Sequence, residues 1–172
     1  DWISHARRAF EFIVTHMTID GRLRHTWRHG RARHPATLDD YANLSRAALA
    51  LLESTGDPQY LAQAEGLAAI VQTHYLDAEN GGYFLSADDA DALITRPKTV
   101  ADNATPSGNG TILKVLARLF LITGEDAYRD HADALVCAFP APTPDHRISM
   151  PGLCTGFEIL DSAIQIVIVG PD

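Results

Sequence analysis

Asp39 is the residue of this sequence best placed for acid–base chemistry. It lies in Thr37-Leu38-Asp39-Asp40-Tyr41, where a capping signal opens a helix. A carboxylate there can border a pocket while the apolar stripe behind it packs. Asp102 is a second candidate, just ahead of Ser107-Gly108-Asn109-Gly110. Asp39 and Asp102 are therefore the candidate catalytic carboxylates. Arg96, Lys98, Asn103, Ser107 and Asn109 can orient hydroxyl groups, and Trp27, Tyr41 and Tyr83 offer rings. Polar groups beside aromatics are the composition of a site for a sugar or another small polar metabolite.

The other reactive residues are less informative. His25 and His34 are the rim histidines available as an acid/base pair. His25 and His29 would share a strand face, but a turn at Gly30 intervenes. None of the three has the spacing of a zinc site, so no metal is expected, and no cofactor. His16, His74 and His131 fall on helices and read as surface or half-buried. GxSxG, Walker and GxGxxG patterns are absent. Ser107–Gly110 looks like a glycine-rich phosphate loop but follows no βα unit.

The elements that must position these residues are announced by an internal repeat. Ala36–Ala64 aligns without a gap on Ala104–Ala132, with identity at Ala36/Ala104, Thr37/Thr105, Leu51/Leu119, Thr55/Thr123, Gly56/Gly124, Tyr60/Tyr128 and Ala64/Ala132. A turn-then-strand echo precedes each copy, DGRLRHTW from Asp20 and NGGYFLS from Asn80. Such a unit cannot bury both faces alone, so units stack. The spacing predicts an amphipathic helix over 2–17, a hairpin from Arg22–Trp27 and Arg31–His34, and a helix opened by Thr37 and closed by Gly56. A second helix restarts at Asp57-Pro58. A short strand follows at Tyr83–Leu85, then a long polar loop from Asp88 to Thr105. The second hairpin runs from Ser107 to Ile122 and from Asp126 to about Ala138. A shorter helix near Leu153–Leu160 and a strand at Gln165–Val169 end the pattern. Equivalent positions in the repeat put Thr37–Tyr41 and Thr105–Asn109 at one end of neighbouring helices, where the polar loops also converge. The fold class is therefore mainly α, a single partial (α/α) toroid of about two and a half helix hairpins, with short β-hairpins at one rim.

Composition narrows the partners. The 172 residues carry a formal net charge of −8, which argues against a nucleic-acid or anionic-membrane binder. No apolar run approaches a membrane span, and DWISHARRAF is no signal peptide. The chain starts in mid-helix pattern and reads as a piece of something longer. Cys137 and Cys154 lack CxxC spacing and are expected to be buried or half-buried free thiols of a cytoplasmic protein. Helices left without neighbours, Trp2–Met17 and the 153–169 segment, are expected to self-associate.

Arg96–Gly110 (RPKTVADNATPSGNG), with Gly21–Ala42 and Asn80–Ser86, resembles a large family in which a thioredoxin-like domain precedes a six-hairpin α/α barrel. Its animal members are called spermatogenesis-associated, thioredoxin-like proteins. The resemblance implies a C-terminal slice of such a protein, lacking the thioredoxin-like domain and several hairpins. Its barrel is similar to those of sugar epimerases and many glycosidases, whose sites lie at the inner-helix ends. Two readings stand at this point. One is part of a carbohydrate-processing enzyme, isomerase or hydrolase, with Asp39 as acid or base. The other is a non-catalytic module that binds or scaffolds for a thioredoxin-like domain or another partner.

Overall fold

The structure is a computed structural model that describes residues 1–90, 94–140 and 148–166. The chain begins with α1 (Trp2–His16), capped by the Asp1 carboxylate on the N–H groups of Ile3 and Ser4. Three short strands follow: β1 (Thr18–Ile19), β2 (Arg22–Arg28) and β3 (Arg31–Pro35), paired antiparallel in that order. Then come the hairpin of α2 (Leu38–Thr55) and α3 (Gln59–His74), the hairpin of α4 (Gly108–Thr123) and α5 (Asp126–Ala138), and finally α6 (Pro151–Ser162).

The two TG turns are built alike. Gly56 and Gly124 take left-handed conformations, φ 69° and 73°, and their N–H groups bond the carbonyls of Leu52 and Phe120. Thr55 and Thr123 donate their hydroxyls to Leu51 and Leu119, one turn back. Each threonine oxygen then accepts the N–H of the residue after the glycine, Asp57 or Glu125, at 3.2 Å. Only glycine enters the left-handed region without a steric cost, so each repeat reverses at a fixed place. α2 packs on α3 and on α4, and α4 packs on α5 and on α6. α4 is the centre of the arc: Ile112, Leu113, Val115, Leu116, Ala117 and Leu119 have no exposed surface. Burying a large aliphatic side chain contributes about 1.5–3 kcal/mol, so this helix anchors the layer.

The three inner helices α2, α4 and α6 start at the same end, and glycines let them approach there. A Cβ on Gly108 would strike Asp39 and Leu38. One on Gly110 would lie 2.9 Å from the backbone of Gly152 and Leu153, and one on Gly156 2.7 Å from Leu113.

Several expectations need correction. The strand at Tyr83–Leu85 is a single bridge between Leu76 and Tyr83. Its neighbours bond elsewhere: Phe84 to Tyr75, and Leu85 to both Pro97 and Leu38. A segment that serves three partners cannot form a ladder. An unexpected strand, β1, pairs with β2 instead. The expected start of α4 holds: Ser107 caps it, with Pro106 and the Asp102 turn just before. α6 is longer than expected, with Pro151 in its first turn, where the missing N–H costs nothing. Gln165 and Ile166 form no strand, and the rest of Gln165–Val169 lies outside the described residues. Cys137 and Cys154 are free thiols but exposed. No described helix is long and apolar enough to cross a membrane.

The turn after α3 is held by charge. Asp77 accepts the N–H groups of Glu79 and Asn80 and the Lys98 ammonium at 2.6 Å. The lysine, with the N–H groups behind it, lowers the Asp77 carboxyl to about 2.

Three substitutions test this account. Gly110→Ala is expected to cost about 1–3 kcal/mol in urea unfolding through overpacking. Gly66→Ala, in α3 with nothing within 4 Å of the added carbon, gains roughly 0.5–1 kcal/mol from helix propensity. A depressed carboxylate stabilises above its unfolded value of about 3.9 and ceases to do so as pH falls through the folded value. Lys98→Met should therefore lower stability at pH 7, with the gap to the parent chain narrowing between about pH 4 and pH 2. A gap of equal size at both ends would exclude the ion pair as its cause.

Candidate functional site

The inner-helix start of α2 opens onto a groove of about 340 Å³ between α1, β2 and α2. Ile13, Met17, Leu23, Leu44 and Ala47 form its apolar floor. Arg24, His25, Asp39, Asp40 and Asn43 are its polar groups. Larger apolar hollows exist between α1 and α2, about 400 Å³, and between α5 and α6, about 530 Å³. The first is lined by apolar side chains and one serine, Ser54; the second by apolar side chains and the Cys154 thiol. Neither holds a charged group to do acid–base work.

Asp39 and Asp40 occupy the first turn of α2, where the helix dipole favours negative charge. Successive helical residues point roughly 100° apart, so the two carboxylates meet different surroundings. Asp40 accepts the N–H and hydroxyl of Thr37, at 2.7 and 2.9 Å, and the His25 Nδ1 at 2.8 Å. A carboxylate at Nδ1 holds the proton there and leaves Nε2 as the free acceptor. Asp39 is half-buried. Its carboxyl is pushed up, first by loss of solvent and further by the charge of Asp40; the N–H of Gly108 opposes the shift. The close approach of Gly108 to the Asp39 side chain also joins the starts of α2 and α4. Asn43 donates its amide to the Asp39 carbonyl at 2.8 Å, one turn on.

Most of the other expected site residues hold the fold together. Tyr41 is fully buried; its hydroxyl accepts the Leu23 N–H at 2.9 Å, and its ring lies 5.5 Å from Tyr75. Tyr83 is equally closed, its hydroxyl taking a bond from Gln72 at 2.6 Å and pushed up by burial. Asn109 accepts the Tyr83 N–H and donates to the carbonyls of Tyr83 and Thr99. Ser107 caps α4 on the Gly110 N–H and donates to Val100. Asp102 has one oxygen on the Ser107 N–H at 2.9 Å and the other on the Gly152 N–H at 2.6 Å. It does not line the groove, so the structure does not bring Asp39 and Asp102 together there. Arg96 lies 4.2 Å over the Phe84 ring and donates to the carbonyls of Ser86 and His74. Lys98 is committed to Asp77 and Gly81. Asn103 accepts the N–H of Ala104, a local turn bond. Trp27 is partly exposed on the hairpin, its ring 5.4 Å from Phe12 and 5.8 Å from His16. His34 is exposed on β3 with a φ of 60°.

Sequence reasoning missed the pairing of His25 with Asp40, and Arg24 and Asn43 as groove residues. The signal was period-two alternation: Leu23 points into the core, and His25, two residues on, shares its face. It also missed His74, whose Nδ1 lies 2.8 Å from Asp88 and 3.8 Å from Asp89. These three atoms are close enough to share a cation. Arg22, however, already bonds both Asp89 oxygens, at 2.5 and 3.1 Å, and lowers that carboxyl. The guanidinium supplies the positive charge that a cation would.

No family model matches the chain. Spermatogenesis-associated protein 20 of Rattus norvegicus is 29% identical over 180 residues, an alignment covering 98% of this chain and 23% of the relative. The chain thus spans under a quarter of that relative's length. Two solved structures share the backbone arrangement. A family 76 glycoside hydrolase from a bovine Bacteroides thetaiotaomicron strain has a TM-score of 0.69 and 17% identity, over 94% of this chain and 38% of that one. A family 76 glycoside hydrolase (mannosidase) from Bacteroides thetaiotaomicron VPI-5482 has a TM-score of 0.63 and 16% identity, over 94% and 48%. The chain is an arc of an (α/α) toroid, similar in sequence to spermatogenesis-associated protein 20 and in backbone to family 76 glycoside hydrolases.

Proposed function

We propose that the groove at the start of α2 is a carbohydrate-processing centre of glycoside-hydrolase type. The observation that carries this reading is Asp39, a half-buried carboxyl raised by burial and by Asp40, in a groove that also holds His25. A raised carboxyl keeps its proton to higher pH than a free one and can give it to a glycosidic oxygen. His25, oriented by Asp40, has Nε2 free to take a proton from water. Asp39 is thus paired with His25 rather than with Asp102, which does not line the groove and holds the Ser107 and Gly152 N–H groups. The toroid shared with glycoside hydrolases supports the substrate class, as fold analogy only. The motif around Arg96–Gly110 and the likeness to spermatogenesis-associated protein 20 support a place in the thioredoxin-like family, with a thioredoxin-like domain elsewhere in the whole protein. Two free thiols accord with a cytoplasmic setting. The exposed Trp2, Ile3 and Phe12 of α1 and Phe157 of α6 are assigned to contact with a further packing element, which for the isolated chain is a second copy. Sedimentation of the chain as a strict monomer at high concentration would refute that assignment.

Asp39→Asn separates a catalytic acid from a structural one. Burial raises the folded value above the unfolded one, so the charged form opposes folding and stability falls as pH rises between the two. The amide keeps the acceptor for Gly108 and carries no charge. In the full-length protein the variant should melt no lower than the parent at pH 7, while turnover drops at least ~100-fold. Mannosides are the first substrates to try. Parent activity should fall as pH rises through the Asp39 value. Undiminished turnover removes Asp39 from the mechanism. Binding of a sugar without turnover by the parent favours the non-catalytic module.

A further inference from the structure

The β2–β3 hairpin is strongly basic in a chain whose net charge is −8. Arg22, Arg24, Arg28, Arg31 and Arg33 lie within it, with His25, His29 and His34, and it holds no acidic residue. The register sorts them by face. Arg28 pairs with Arg31, Thr26 with Arg33, and Arg24 with Pro35. Residues opposite each other in an antiparallel pair share a face, as do residues two apart along a strand. All five arginines therefore stand on one face, with Leu23, Trp27 and Ala32 on the other. Like charges so placed repel. Arg22 is neutralised by Asp89. Arg24, Arg28, Arg31 and Arg33 have no ion-pair partner among the described residues, and the Arg24 Nε is buried without a hydrogen bond.

The end of this hairpin is also concave. Thr26, Arg28 and Arg33 of the arginine face, His29 of the turn, and Trp27 and His34 of the opposite face border a hollow of about 460 Å³. His29 and His34 hold φ values of 51° and 60° there, a conformation that costs a non-glycine residue energy. Guanidinium groups grip carboxylate, sulfate or phosphate oxygens through paired N–H bonds. We propose that this arginine face binds the acidic groups of an anionic oligosaccharide, seated in the hollow between Arg28 and Arg33. The charge of the ligand follows from the hairpin alone. Its sugar scaffold rests on the function proposed above.

The test is a titration of the full chain, in a Trp2→Phe background so that Trp27 is the sole fluorophore of its kind. The probes are an oligogalacturonate and a sulfated oligosaccharide, with a neutral manno-oligosaccharide and a single-stranded DNA oligonucleotide of matched charge for comparison. At least one acidic sugar should bind, weakening steeply with added salt, and whichever binds tells carboxylate from sulfate recognition. Arg28→Gln/Arg33→Gln should weaken binding at least 10-fold, with an unchanged melting temperature because both side chains are exposed. Arg7→Gln/Arg8→Gln, outside the hairpin, should bind as the parent does. Asp39→Asn should also keep full binding, so a failure of the catalytic reading leaves this result standing. The proposal is overturned by no binding of either acidic sugar, by equal affinity in the Arg28/Arg33 variant, or by tighter binding of the neutral sugar or of DNA.

Discussion

The closeness of three helix starts is the constraint on which the rest of the structure depends. α2, α4 and α6 meet at Gly108, Gly110 and Gly152, where an added methyl group would strike a neighbouring side chain or backbone. That approach sets Gly108 against the Asp39 carboxylate and is near enough for the Gly152 N–H to reach Asp102. Helix starts carry unpaired N–H groups. Here acids from adjoining segments meet two of them. A slightly wider spacing would leave the N–H groups to water and Asp39 with less reason to lose solvent.

The repeat reveals a second layer of the same logic. Tyr41 and Asn109 are equivalent positions with unlike side chains, yet each takes a backbone N–H from the strand or bridge after a glycine turn, Leu23 or Tyr83. The preceding turn is thereby fastened to the first turn of its inner helix in both units. This employs residues whose polarity alone suggests ligand binding. Arg96, Lys98, Asp102 and Ser107 are employed likewise, fastening the 94–107 segment across the helix ends. Once those groups are committed to the backbone, Asp39, Asp40 and His25 remain as the cluster at the α2 groove.

Charge is distributed unevenly around this frame. The acidic pair sits at the dipole-favoured start of α2, while the guanidinium groups gather on one face of the adjacent hairpin. β2 contributes to both, since Arg24 and His25 line the groove and Arg28 lies at the hollow. A ligand in one would therefore share a strand with a ligand in the other.

What the sequence by itself determined was local and periodic. Glycine at the TG turns, the capping residues of α2 and the apolar spacing of the helices set where each element begins and ends, because those signals act through the backbone within a few residues. The repeat also established that α2 and α4 share an end, which is why Asp39 and Asn109 lie at the same rim. Only the tertiary structure decided what each polar residue there does. Asn109 and Asp102 look like site residues until their partners Tyr83, Thr99, Ser107 and Gly152 are known, and those lie up to 50 positions away in sequence. Tyr83–Leu85 likewise has the pattern of a strand, but its neighbours in space compete for its bonds. Polarity and periodicity are properties of a segment; whether a donor meets backbone or stays free for a ligand depends on which distant segment packs against it.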